Sequence, residues 1–238
     1  MKANNPIFKG MVDSEIQTGQ RATLSGIIGK TSLLLLITAF VAGLVMIGAF
    51  NPYPFLFIGS IVGMIAVVMG RLKPQFAMAS SIVYAACEGM FVGALSLIAE
   101  IYVPGVVMIS VIATISIFAV MLGLYKMKIV QATPMLTKVL MGAGLAIVLC
   151  MACSLVLQLF GVFSGIDLFS PLYLLLSAVL VIYGSFMLVL NFDEANYYVN
   201  SGLDKAYEWV ASLGLIVTIL YIYVQILRLL VSLLGNRD

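Results

Sequence analysis

Seven long apolar runs, at residues 31 to 50, 53 to 70, 76 to 99, 104 to 124, 137 to 160, 171 to 192 and 209 to 234, fix most of what this chain can become. About 20 apolar residues cross the hydrocarbon core of a bilayer as a helix rising about 1.5 Å per residue. A membrane barrel would instead alternate apolar and polar residues over about ten positions, and these runs are continuous. The expected fold is an all-α integral membrane protein, a bundle of seven transmembrane helices in a lipid bilayer. Composition agrees: of 238 residues, 63% are hydrophobic and 9% charged, against about 25% charged in an ordinary soluble domain.

Helix breakers punctuate the runs. Asn51-Pro52-Tyr53-Pro54, Lys73-Pro74, Val103-Pro104-Gly105 and Ser170-Pro171 each fall between two of them. Short connections make neighbouring helices antiparallel and leave no linker for a second domain, so residues 31 to 238 read as one transmembrane domain. Residues 1 to 30 are too polar, and run too long before the first apolar stretch, for a cleavable secretory signal. They are expected to form an N-terminal arm. Lys2, Lys9, Arg21, Lys30, Arg71, Lys73, Lys126, Lys128, Lys138 and Lys205 all fall on the arm's side of the membrane, which leaves only Arg228 and Arg237 of the 12 basic residues. The positive-inside rule makes that side cytoplasmic and puts the C-terminus, after seven crossings, on the other.

Several function classes are disfavoured at once. A net charge of +2 without basic clusters on a polar surface argues against nucleic-acid binding. The chain has no histidine, the usual physiological-pH base and commonest metal ligand. No nucleophile-elbow motif occurs, and Gly142-Ala143-Gly144 lies within an apolar run, not in a phosphate-cradling loop. Neither an enzyme nor a cofactor is expected. Cys87, Cys150 and Cys153 also fall in apolar runs. The CxxC spacing of the last two reads as small packing residues within a helix, not as a redox or metal motif.

Polar residues inside the runs show which faces turn inward. Glu88 is the one formal charge between Phe76 and Ile98. An ionised side chain at a helix centre costs about 2.5–3.5 kcal/mol on insertion scales, a cost relieved by a partner, by water or by protonation. Ser81, Tyr84 and Glu88 share a helix face, and Ala85, Gly89 and Gly93 form a small-residue seam beside it, with Gly59 and Gly63 repeating the pattern in span two. Glu88 is therefore expected to face the bundle. In span seven, Gly214, Thr218, Tyr221, Gln225, Arg228 and Ser232 recur at spacings of three and four, a polar stripe that places this helix near the middle. Glu88 and Thr218 lie at similar depth, about 18 Å and about 15 Å from the basic side. Arg228 falls near the far interface, where a long side chain snorkels. Glu194, Asp204 and Glu208 read as solvated helix ends.

The stretches NNPIFKGM and GIIGKTSLLLL, RLKPQFA leading into YAACEGMFVGALS, LNFDEANYYV, and the closing LDKAYEWVASLGLIVTILYIYVQILRLL span nearly the whole chain. In this order they resemble the Bax inhibitor family of seven-helix membrane proteins, in its bacterial YccA-like branch. The resemblance implies a bacterial plasma membrane and a central seventh helix. Its characterised bacterial relatives are pH-sensitive calcium leak channels, in which an aspartate late in helix six and one midway in helix seven share a proton. An arginine ending helix two assists the closed state. Close carboxylates suit such a switch, since loss of the shared proton sets two like charges against each other.

Carried over residue by residue, the arginine falls on Arg71 and the two aspartates on Asn191 and Thr218, so neither is acidic here. A two-residue shift would put Asp193 in the helix-six role. Glu88 is the candidate replacement carboxylate, bonding to polar groups of spans six and seven. The resemblance thus implies a pH-sensitive leak for calcium or other cations, with Glu88, Asn191, Asp193, Thr218 and Tyr221 as a weak oxygen set, Arg71 assisting and Gln225 on the stripe. The other expectation is a regulator that does not transport. It would bind a membrane protein, such as a membrane-embedded protease, through the arm.

Overall fold

The computed structural model describes residues 20–48, 52–160 and 170–235. The NNPIFKGM stretch, most of the N-terminal arm, Asn51 and Arg237 lie outside the described residues. Among the described residues seven α-helices follow one another: α1 Leu24–Met46, α2 Pro52–Leu72, α3 Ala77–Tyr102, α4 Val106–Lys126, α5 Pro134–Leu159, α6 Pro171–Asn200 and α7 Ala206–Leu234, with a 3-10 turn at Pro74–Phe76 before α3. Six of them are long and apolar enough to cross a membrane. In α2, the residues whose side chains are described form an apolar helix over Gly59–Leu72.

The chain's punctuation explains where helices start and stop. Thr133 and Ser170 cap α5 and α6 by accepting from the backbone N–H of Leu136 and Tyr173, each just ahead of a proline in the first turn. Gly105, at φ 85°, turns the chain between α3 and α4. Two boundaries differ from expectation. α1 begins at Leu24, inside the segment taken as the arm, because Thr23 caps it there. α6 runs on to Asn200, so Asp193 and Glu194 lie within a helix and not in a loop after it.

α7 is the hub. Of residues 207 to 227, only Trp209, Val217 and Tyr221 keep partial exposure. Each apolar cluster of the core draws on α7: Leu188, Val189 and Phe192 pack with Val210, Ala211 and Ile222, Leu34 and Tyr84 with Leu213 and Ile216, and Val92 and Val106 with Val224 and Leu227. The expected central place of the seventh helix is thus observed. Among the described residues α5 packs on α6 and stays peripheral. Cys150 and Cys153 are exposed on it, which corrects their expected role as packing residues.

Lipid tails are as apolar as leucine, so helices in a membrane gain most by close approach. The seam on α3 provides it. A Cβ at Gly93 would lie 2.8 Å from Ala42 Cα on α1, and one at Gly89 2.8 Å from the Thr38 carbonyl oxygen. Thr38 Oγ1 donates to the Ala85 carbonyl at 3.1 Å along the same contact. Overpacking such a site costs roughly 1–3 kcal/mol. Gly93→Leu is expected to lower the melting temperature of the purified protein in detergent, while Gly43→Leu on α1, where nothing lies within 4 Å, leaves it unchanged.

Candidate functional site

At the end of the bundle carrying Arg71, Lys73 and Lys205, α2, α6 and α7 converge on a small polar centre. Asn191 of α6 is 5% exposed and Thr218 of α7 is 7% exposed. Asn191 Nδ2 donates to Thr218 Oγ1 at 2.6 Å and to the Gly214 carbonyl at 3.2 Å, and Thr218 Oγ1 donates to that carbonyl in turn. Both side chains are satisfied, as burial between transmembrane helices requires.

Gly214 permits the arrangement. A Cβ there would lie 2.5 Å from Arg71 Nη2 and 3.3 Å from Asn191 Oδ1, so the guanidinium rests on the bare backbone of α7 beside the amide oxygen of Asn191. Arg71 ends α2, and its Nη1 lies 3.5 Å from Glu194 Oε1 in a partly exposed ion pair. Tyr198 Oη donates to the same Glu194 oxygen at 2.6 Å. Glu194 is thus not a freely solvated helix end but a partner of both Arg71 and Tyr198.

Three of the expected site residues, Arg71, Asn191 and Thr218, therefore meet. The other four have different neighbours. Asp193 is exposed and accepts from Tyr125 Oη of α4 at 3.2 Å, while Asn196 Nδ2 donates to that same phenol at 2.8 Å. This corrects the shifted register, because two helical residues beyond Asn191, Asp193 points away from α7. Glu88 is half-buried, with its Oε2 3.6 Å from where a Cβ of Gly63 on α2 would stand and Tyr84 alongside. Among the described residues it makes no hydrogen bond, so the expected bonds to α6 and α7 are not formed. Tyr221 stacks edge-on against Tyr183 at 6.2 Å, and Gln225 is buried. Among the described residues no three His, Cys, Asp or Glu side chains group around one point, and the proposed oxygen set does not converge.

A second polar centre was missed. Glu208, expected as a solvated helix end, is 2% exposed. It accepts from the backbone N–H of Thr23 at 2.8 Å and from Thr23 Oγ1 at 2.9 Å, and it pairs with Lys30 of α1. The Lys30 ammonium also lies 4.9 Å above the Trp209 ring. Alongside, residues 20 to 22 pair with residues 203 to 205: Ala22 N–H donates to the Leu203 carbonyl at 2.8 Å, and Lys205 N–H to the Gln20 carbonyl at 3.0 Å. The start of α1 is thereby clasped to the start of α7.

A buried polar contact between two membrane-length helices, overlaid by a cation from a third, marks a multi-helix membrane protein with a polar centre beside its central helix. A model of the family described as Bax inhibitor 1 like matches residues 5–235, and the chain belongs to that family. No curated protein and no solved structure matches it.

Proposed function

We propose that this protein is a leak pathway for calcium-type cations, shut in the state described here by a neutral latch between α6 and α7. The observation that carries the reading is the 2.6 Å hydrogen bond from Asn191 to Thr218 beneath Arg71. An amide and a hydroxyl do not titrate in the physiological range, so the latch opens by separation of α6 from α7 and not by proton loss. Any pH sensitivity then belongs to Glu88. Neutral, its carboxyl sits against Tyr84 and Gly63; ionised, it draws water into the α2–α3 contact. In the cell the basic end of the bundle faces the cytoplasm.

Flux into proteoliposomes, measured across pH for wild type, Asn191→Ala and Glu88→Gln, tests this reading. Removing one partner of a buried hydrogen bond costs about 1–3 kcal/mol. Asn191→Ala is therefore expected to raise flux by roughly tenfold at every pH. Glu88→Gln is expected to flatten whatever pH profile the wild type shows. Absence of flux from both wild type and Asn191→Ala would reject a leak and leave the partner-binding regulator, whose phenotype deletion of the arm would abolish.

A further inference from the structure

The half of α7 remote from the latch is chemically unfinished. Among the described residues, the buried side-chain polar atoms with no hydrogen-bond partner are Tyr221 Oη and Ser232 Oγ. Among the described residues Arg228 is in no ion pair. All three lie on the polar stripe of α7, Arg228 and Ser232 one helical turn apart on one face. A guanidinium stays charged at any physiological pH, and a buried hydroxyl without a partner is penalised. Among the described residues neither has a partner.

The space for one is present. Arg228 and Ser232 line a cavity of about 370 Å³ among α3, α6 and α7, within the roughly 300–1,000 Å³ range of small-ligand sites. Its other walls include Leu95, Ile98, Leu227 and Val231. Ser232 lines this cavity and is 4% exposed, its hydroxyl buried and without a partner among the described residues. Arg228 stands about 33 Å along α7 from its first residue, where the head groups of a bilayer begin. Mostly apolar walls, with the rings of Tyr102 and Tyr173 among them, meet one cation at Arg228, a lining that matches an acyl chain ending in an anion.

We propose that this cavity binds an amphipathic anion, an acyl chain carrying a phosphate or carboxylate head, with Arg228 pairing with the head and Ser232 Oγ donating to it. Bound there, the ligand holds α3 against α7 at the end of the bundle opposite the latch.

Native mass spectrometry of the full-length protein in neutral detergent tests it, titrating phosphatidylglycerol, phosphatidylcholine of the same chains, oleate and inorganic phosphate. Saturable retention of phosphatidylglycerol at least about tenfold stronger than of phosphatidylcholine is expected, with inorganic phosphate not retained. If oleate is retained as well as phosphatidylglycerol, the head is any anion and a free fatty acid serves; if it is not, a phospholipid is the occupant. Arg228→Gln is expected to weaken retention by about tenfold and Ser232→Ala by about threefold, while Arg228→Lys keeps most of it. Equal retention of the two phospholipids by wild type overturns the proposal whether or not any variant folds. So does retention unchanged in a folded Arg228→Gln.

Discussion

Replacing Asn191 and Thr218 together by aspartate is expected to give a protein whose flux rises steeply with pH. In the present chain the two side chains meet at 2.6 Å as amide donor and hydroxyl acceptor, a bond indifferent to pH. Two carboxyl groups in the same place share one proton when pH is low, and the contact persists. As pH rises that proton leaves, and two like charges a few ångströms apart repel in a setting with little water. The stabilising bond is present below the pair's raised titration point and lost above it, so flux increases from acid to alkaline conditions, by about tenfold or more across the transition if one charged hydrogen bond of roughly 1.5–3 kcal/mol is lost. Arg71, poised over Gly214, moderates the repulsion, and adding Arg71→Gln to the double variant is expected to move the rise to higher pH, because loss of the nearby cation makes the second carboxyl harder to ionise. The measurement is the proteoliposome assay across pH, with the single variants as controls. A flat profile for the double variant would show that the latch does not gate passage.

The second large effect lies at the clasp. Lys30→Met leaves Glu208 buried without its cation, and breaking a buried pair from one side costs about 3–5 kcal/mol. For a chain of this length that corresponds to a loss on the order of 10 °C in melting temperature. The double variant Lys30→Met, Glu208→Leu is expected to recover most of the loss, because replacing both members of a buried pair with apolar groups is often neutral. Thermal unfolding in detergent distinguishes the cases. A Lys30→Met protein as stable as wild type would mean that Thr23 alone satisfies the carboxylate.

How much of this was legible in the sequence depended on range. Helix positions followed from apolar run length, and ends from Lys73-Pro74, Val103-Pro104-Gly105 and Ser170-Pro171, all local signals. The seam at Gly89 and Gly93 and the central place of α7 followed from spacings of three and four, which one helix states by itself. Glu208 was not legible, because its partners Thr23 and Lys30 stand 185 and 178 residues away, and nothing near Glu208 announces burial. Glu88 shows the same limit from the other side. Its face was readable, but a face touches more than one neighbour, and the one it meets is Gly63 of α2. The Asn191–Thr218 contact came from register against a family pattern, a comparison that carries long-range information no single helix contains.

α7 is shielded by the rest of the protein over most of its length, yet it is apolar enough to cross a membrane, as is the peripheral α5. Its leucines and isoleucines therefore answer two demands at different times. During insertion the segment must leave the aqueous route for lipid on its own, since the translocation machinery judges each segment by its apolarity. Only afterwards does it exchange lipid for α1, α3, α4 and α6. Substitutions there that conserve packing but lower apolarity should thus appear as defects of biogenesis before they appear as defects of the finished protein.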